Sequence, residues 1–161
     1  LTNKGRQFVM RAQELGIMLD MSHISERGFW DTLEISTRPV IAGHSNSKAV
    51  CNVPRNLSDE QFAALVRRGG GAGINLYPEF LGLGRDIDAV FAHIDHFMSL
   101  GDERSVFLGC DLDGIEETPH GISGVQDLGK IYETLLRHNY SEQLVCDIFR
   151  NNILKVMEKA L

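Results

Sequence analysis

Apolar residues along the chain fall into two alternating patterns. The first is helical: Phe8, Val9, Ala12 and Leu15 recur at intervals that place them on one face of a helix over residues 3–15. The second is a short apolar run ending in a polar residue. Ile17-Met18-Leu19-Asp20-Met21-Ser22-His23, which follows the helix stop at Gly16, reads as a short buried strand. Ser25 then caps a helix running to about Ser36, and Pro39-Val40-Ile41-Ala42-Gly43-His44 is the second strand, with proline tolerated at its first position. Ser58, with Gln61 three residues on, is a capping signature that opens a helix to about Arg68. After Gly69-Gly70-Gly71 comes the third strand, Ala72-Gly73-Ile74-Asn75-Leu76-Tyr77. Ile87, Val90, Phe91, Ile94 and Phe97 share one face of a helix over residues 86–100, and Ser105-Val106-Phe107-Leu108-Gly109-Cys110-Asp111 is the fourth strand. Helices over about 126–138 and 141–159 close the chain.

Near-continuous apolar strands alternating with amphipathic helices specify parallel strands joined in βαβ units. Four such strands make either a small doubly wound sheet or one half of an eight-stranded barrel. The polar residues choose between them. His23, His44, Asn75 with Tyr77, and Asp111 all fall at C-terminal strand ends. That rim is where a (β/α)8 barrel builds its chemistry. An open sheet gathers its ligands at one switch point and has no use for polar residues at every strand end. The expectation is therefore an α/β half-barrel of TIM type, with four parallel strands and extra C-terminal helices. The repeats share no sequence and no linker interrupts them, so residues 1–161 are read as a single unit.

Composition narrows the classes of function. At 161 residues, 43% hydrophobic and 24% charged, the chain has ordinary globular proportions for one domain. A net charge of -6 without a basic stripe argues against a nucleic-acid partner. No apolar run approaches the roughly 20 residues of a membrane span. Cys51, Cys110 and Cys146 are few, odd in number and far apart, which favours a reducing setting and a cytoplasmic protein. The start, Leu1-Thr2-Asn3-Lys4-Gly5, has neither an initiator Met nor a leader pattern, so further chain upstream is expected.

Candidate chemistry begins with His23 and His44. Imidazole is a good zinc ligand, and adjacent parallel strands about 4.8 Å apart let two such side chains converge on one ion. Taken singly, a histidine ending a strand is ordinarily a hydrogen-bonded structural residue; the matched pair, each beside a serine-containing turn, is what raises the ligand reading. Asp111, just past an apolar strand, can bind a metal or take a proton from metal-bound water. Asp113 precedes Gly114 and suits a turn. Arg55, in the loop Val53-Pro54-Arg55-Asn56-Leu57, can hold a carboxylate bidentately, although composition alone makes it a solvated surface arginine. His93 and His96 lie mid-helix, away from the rim, and are read as structural. His120 in a polar loop is a weak further candidate, and His138 suits a helix C-terminus.

In these residues the sequence resembles the membrane (renal-type) dipeptidase family of the amidohydrolase superfamily. The matching stretches are Leu1 to Gly5, Leu15 to His23, Gly43-His44-Ser45, Arg55-Asn56 and Gly109 to Gly114, in the family's order and spacing over essentially the whole chain. The stretch Asn151 to Val156 resembles a family signature, with Lys155 where Arg is usual. The resemblance implies that the chain is the C-terminal half of the barrel, strands five to eight. It implies His23 and His44 as the histidine ligands of the second of two zinc ions and Arg55 as the grip on the substrate's carboxylate. Asp111 is implied as proton acceptor and shuttle, and Tyr77 as a residue lining the cleft. The implied reaction is hydrolysis of a dipeptide by a zinc-activated water, with Asp111 passing the proton to the leaving amine.

The family's His-x-Asp pair, bridging Glu and further substrate-contacting His belong to the N-terminal half, and no stretch here supplies them. Two histidines and one carboxylate are few for a tight zinc site. Half a barrel also leaves two sheet edges open. The polypeptide alone is accordingly expected to be inactive and to pair with its missing half or with a second copy as a homodimer. The competing expectations are a non-enzymatic, self-associating half-barrel and an amidohydrolase acting on another amide or a lactone.

Overall fold

The computed structural model describes residues 1–100 and 103–161. In chain order the elements are α1 (Asn3–Glu14), β1 (Leu19–Asp20), α2 (Glu26–Ile35), β2 (Val40–Ala42), α3 (Asp59–Arg67), β3 (Gly71–Asn75), α4 (Pro78–Leu81), α5 (Ile87–Ser99) and β4 (Val106–Cys110). A 3-10 turn (Val125–Asp127) then leads into α6 (Leu128–Arg137), followed by α7 (Glu142–Cys146), a π-helical turn (Asp147–Asn151) and α8 (Asn152–Ala160). The four strands form one parallel sheet in the order β1-β2-β3-β4, so each βα unit lays its strand beside the last. β1 and β4 are the sheet's edges.

Local sequence explains the element boundaries. Thr2, Ser25, Ser58, Asp86 and Ser141 each accept a backbone N–H in the first turn of the helix they precede. At α3 the box is complete, because Gln61 also reaches back to the Ser58 N–H (2.9 Å). Strand residues alternate between the sheet's two faces. Val40, Ala42, Ala72, Ile74 and Val106 join the main core under the helices, where Phe62 and Phe97 stack with ring centroids 4.2 Å apart. Ile41 and Phe107 point the other way, into a small second cluster with Val156 of α8.

Several expectations shift. The strands are shorter than the apolar runs: His23 lies three residues beyond β1 and His44 two beyond β2. Tyr77 is not in a strand but precedes the short helix α4. The stretch read as one helix over 141–159 is broken by the π turn, where Asp147 accepts from Gln143 (3.1 Å) and Asn151 (2.8 Å). That turn brings buried Asn152 onto the Glu103 and Val106 carbonyls (2.8 and 2.9 Å), tying α8 to the start of β4. On α1 the apolar stripe is only partly used: Val9 and Ala12 are buried, whereas Phe8 (68% exposed) and Leu15 (57%) face outward.

Two glycines govern how closely the rim can fold over. Past β2 the chain crosses the inner face of the sheet, where the Ser45 N–H donates to the Gly73 carbonyl (2.7 Å). A Cβ at Gly73 or at Gly109 would collide with the Gly43 carbonyl oxygen. Only glycine at both positions lets the His44 segment lie flat against β3 and β4.

Candidate active site

The turns beyond β1, β2 and β4 converge. His23 Nε2 and His44 Nε2 are 3.0 Å apart, and His44 Nε2 lies 3.8 Å from Asp111 Oδ2. One donor atom from each of the three residues falls within 4.8 Å of the others. Two nitrogens on one zinc at about 2.0–2.1 Å in tetrahedral geometry lie about 3.3 Å apart, so the histidine pair is set for a shared ion within a few tenths of an ångström. The donor set, two imidazoles and a carboxylate, suits zinc.

Backbone geometry aims these side chains. His23 sits at φ 67°, and Cys110 and Asp111 follow each other at φ 48° and 64°. Such left-handed conformations in non-glycine residues cost about 1–3 kcal/mol each and gather at functional sites. At β4 the pairing slips: Ile74 is opposite Leu108 but Asn75 is opposite Cys110, leaving Gly109 as the extra residue of a bulge. The Asp111 N–H then donates back to the Gly109 carbonyl (2.6 Å) in a tight γ-type turn. Asn75 Nδ2 donates to Asp111 Oδ2 (3.0 Å) and fixes the carboxylate.

Asp20 holds the two histidine turns together. Its Oδ1 accepts the N–H groups of Ser22 and Gly43 (2.8 Å each), and its Oδ2 lies 3.9 Å from His44 Nδ1. Ser22 Oγ accepts the His44 N–H (3.0 Å). A carboxylate behind a ligating histidine orients the ring and raises its basicity. Asp20→Ala is therefore expected to weaken zinc binding about tenfold in a chelator-competition titration; unchanged affinity would show that Asp20 has no part in orienting the ligand. The sequence alone assigned no individual role to Asp20, Ser22 or Ser45. The signal was there for Asp20, a charge inside the apolar run Ile17 to Met21.

Arg55 is half-buried rather than solvated. Its Nη1 donates to Ser45 Oγ (2.6 Å), its Nη2 to the His44 carbonyl (2.9 Å), and its guanidinium lies 5.6 Å from the Phe80 ring centre. Its Nε is buried without a partner among the described residues. Partial burial lowers the pKa of His23, and the positive Arg55 and then His44 lower it further, which favours the neutral ring a metal needs. A cavity of about 490 Å³ opens beside the cluster, lined by His23, Phe29, Ser45, Lys48, Arg55 and Gln61 among others.

Other candidates lie apart. The Tyr77 ring packs edge-on against Phe80 (4.9 Å) and does not line this cavity. His93 is fully buried between the Ser47 N–H (3.1 Å to Nδ1) and the Leu81 carbonyl (3.1 Å to Nε2), as a structural residue. His96 pairs with Asp59 at 2.8 Å. His138 caps α6 and stacks on Phe91 at 3.8 Å. His120 is exposed, its N–H bound to the Arg85 carbonyl, and it does not join the three-donor group. Asp113 lies in the exposed turn closed by the Gly114 N–H on the Asp111 carbonyl (2.9 Å).

Parallel strands with two histidines and a carboxylate gathered on their C-terminal rim are the arrangement on which barrel-type metal-dependent hydrolases build their sites. Comparison with known proteins makes the class specific: the chain belongs to the membrane dipeptidase family (peptidase family M19), which it matches over residues 1–161. It is 34% identical to the uncharacterized protein in pqqA 5'region of Klebsiella pneumoniae, over 98% of this chain and 60% of that protein. Among solved structures it superimposes on a metallo peptidase from Rhodobacter sphaeroides, liganded with a phosphinate mimic of the dipeptide L-Ala-D-Ala, with TM-score 0.94 and 34% identity. That match covers 100% of this chain and 47% of the other. The dipeptidase AC, a family M19 metallo peptidase, matches equally well (TM-score 0.94, 34% identity, 99% of this chain and 49% of that one). The chain thus spans about half the length of the relatives it matches. Among the described residues, no helix is long and apolar enough to cross a membrane.

Proposed function

We propose that this chain forms strands five to eight of a (β/α)8 barrel and supplies half of the active site of a zinc-dependent dipeptidase. The convergence of His23, His44 and Asp111 donors within 4.8 Å carries the reading. His23 and His44 would hold one of two zinc ions. Zinc held there would supply Lewis-acid chemistry, acidifying a water and polarising a carbonyl. Asp111, steadied by Asn75 at 3.0 Å, accepts the water's proton and returns it to the departing amine. Arg55 binds the substrate's carboxylate, a role supported by its place in the lining of the cavity beside the cluster, and so contributes orientation rather than chemistry. Tyr77 supports the cleft indirectly, its ring resting against Phe80, which in turn lies 5.6 Å from the Arg55 guanidinium.

Three donors hold zinc weakly compared with a four-ligand site, and β1 and β4 keep open edges. The 161-residue chain with zinc is expected to hydrolyse no dipeptide on its own. Supplying the N-terminal half-barrel of the Rhodobacter sphaeroides relative should restore hydrolysis. In that reconstituted barrel Arg55→Ala should raise KM for dipeptides about tenfold or more, with a smaller change in kcat. Hydrolysis by the lone chain would overturn the half-site reading, and an unchanged KM in the variant would overturn the carboxylate role of Arg55.

A further inference from the structure

The cavity beside the metal-ligand cluster holds a second cation that the reaction does not use. Lys48 lines it together with Arg55. Its side chain has no hydrogen-bond or ion-pair partner among the described residues, while its N–H is fixed on the Leu57 carbonyl (2.7 Å). The loop carrying Lys48 is thus held in place, but its ammonium is unengaged. The lining is mixed: Met21, Phe29, Pro54 and Leu57 add apolar surface among polar side chains. The first turns of α2 and α3 also border the cavity at Ser25, Glu26, Ser58 and Gln61, so two positive helix ends add to its potential. Glu26 is its single carboxylate, lying exposed in the first turn of α2.

From this arrangement we propose that the cavity receives the side chain of the substrate's C-terminal residue and that Lys48 selects an acidic one, aspartate or glutamate. The inference rests on the dipeptidase reading above, in which Arg55 takes the α-carboxylate. An α-carboxylate on Arg55 leaves the same residue's side chain inside the cavity that Lys48 lines. The apolar residues of the lining accept the methylenes of such a side chain, and an ammonium without a partner favours a carboxylate over a neutral amide of the same shape.

The test is equilibrium binding of Gly-Glu, Gly-Gln and Gly-Ala, with the C-terminal residue in both configurations, to the 161-residue chain in the presence of zinc, followed by NMR titration. Gly-Glu should bind about tenfold more tightly than Gly-Gln, a difference of about 1.4 kcal/mol. Lys48→Met should erase that preference while leaving Gly-Ala affinity unchanged, and Lys48→Glu should turn it toward Gly-Lys. Retained amide spectra in both variants separate loss of preference from loss of fold. Equal binding of Gly-Glu and Gly-Gln to the wild-type chain, with Arg55→Ala still weakening both, would overturn the acidic selectivity alone. Absence of binding by all the dipeptides, with the N-terminal half-barrel supplied as well as without it, would overturn this proposal and the dipeptide reading together.

Discussion

Replacing His44 by alanine is expected to weaken zinc binding by the 161-residue chain at least about a hundredfold, the upper end of what losing a mere outer partner costs. His44 is the hinge of the cluster: its Nε2 is 3.0 Å from the His23 nitrogen and 3.8 Å from the Asp111 oxygen. Without it the cluster keeps one imidazole and one carboxylate, fewer donors than any stable structural or catalytic zinc site uses. Competition against a chromophoric chelator measures the change. His96→Ala is the control, because His96 engages Asp59 away from the cluster and should leave affinity untouched. Equal affinity in wild type and His44→Ala would mean that zinc binds elsewhere on the chain.

The second large effect concerns His93. Its ring is fully buried, Nδ1 accepting the Ser47 N–H and Nε2 donating to the Leu81 carbonyl, so one neutral tautomer satisfies both contacts. Burial drives its pKa down from 6.5 to about 4, against a smaller upward pull from the Leu81 carbonyl. The depressed value fixes the sign. Above the unfolded value of 6.5 both states carry a neutral ring and the stability is fully present. As pH falls toward 4 the unfolded chain takes up a proton that the fold refuses, and roughly 3 kcal/mol is lost. Denaturant titrations across this range should show the loss. His93→Phe should flatten that part of the slope and, by stranding one N–H and one carbonyl, cost about 2–5 kcal/mol at pH 8. A variant with the wild-type slope would show that other groups govern the acid range.

Much of the architecture was legible because periodicity and capping act locally. The serine caps at 25 and 58 and the alternation of Val40, Ile41 and Ala42 between two faces require no knowledge of distant residues. The histidines were legible as a pair because both follow strands. Strand length was not: β1 ends at Asp20 because its carboxylate captures the Ser22 and Gly43 N–H groups and turns the chain there. The bulge at Gly109 was also invisible, since it depends on the register between β3 and β4. The exposure of Phe8 and Leu15 escaped as well, because a helix's apolar stripe specifies what can be buried and not what covers it.

The buried contacts of His93 belong to a larger polar knot beneath the Arg55 loop. Asn46 accepts the Asn75 N–H (2.8 Å) and donates to the Asn75 carbonyl (3.0 Å), imitating a further strand beside β3. Asn56 donates to the Cys51 and Phe80 carbonyls (2.9 Å each), and the Leu57 N–H donates to the Asn46 carbonyl (2.8 Å). None of these bonds involves a metal donor. The loop is therefore ordered as part of the folded core, and its geometry is set before any ion or ligand arrives. Little loop entropy remains to be lost on binding, so affinity at Arg55 should respond to the chemistry of the ligand far more than to its power to mould the protein.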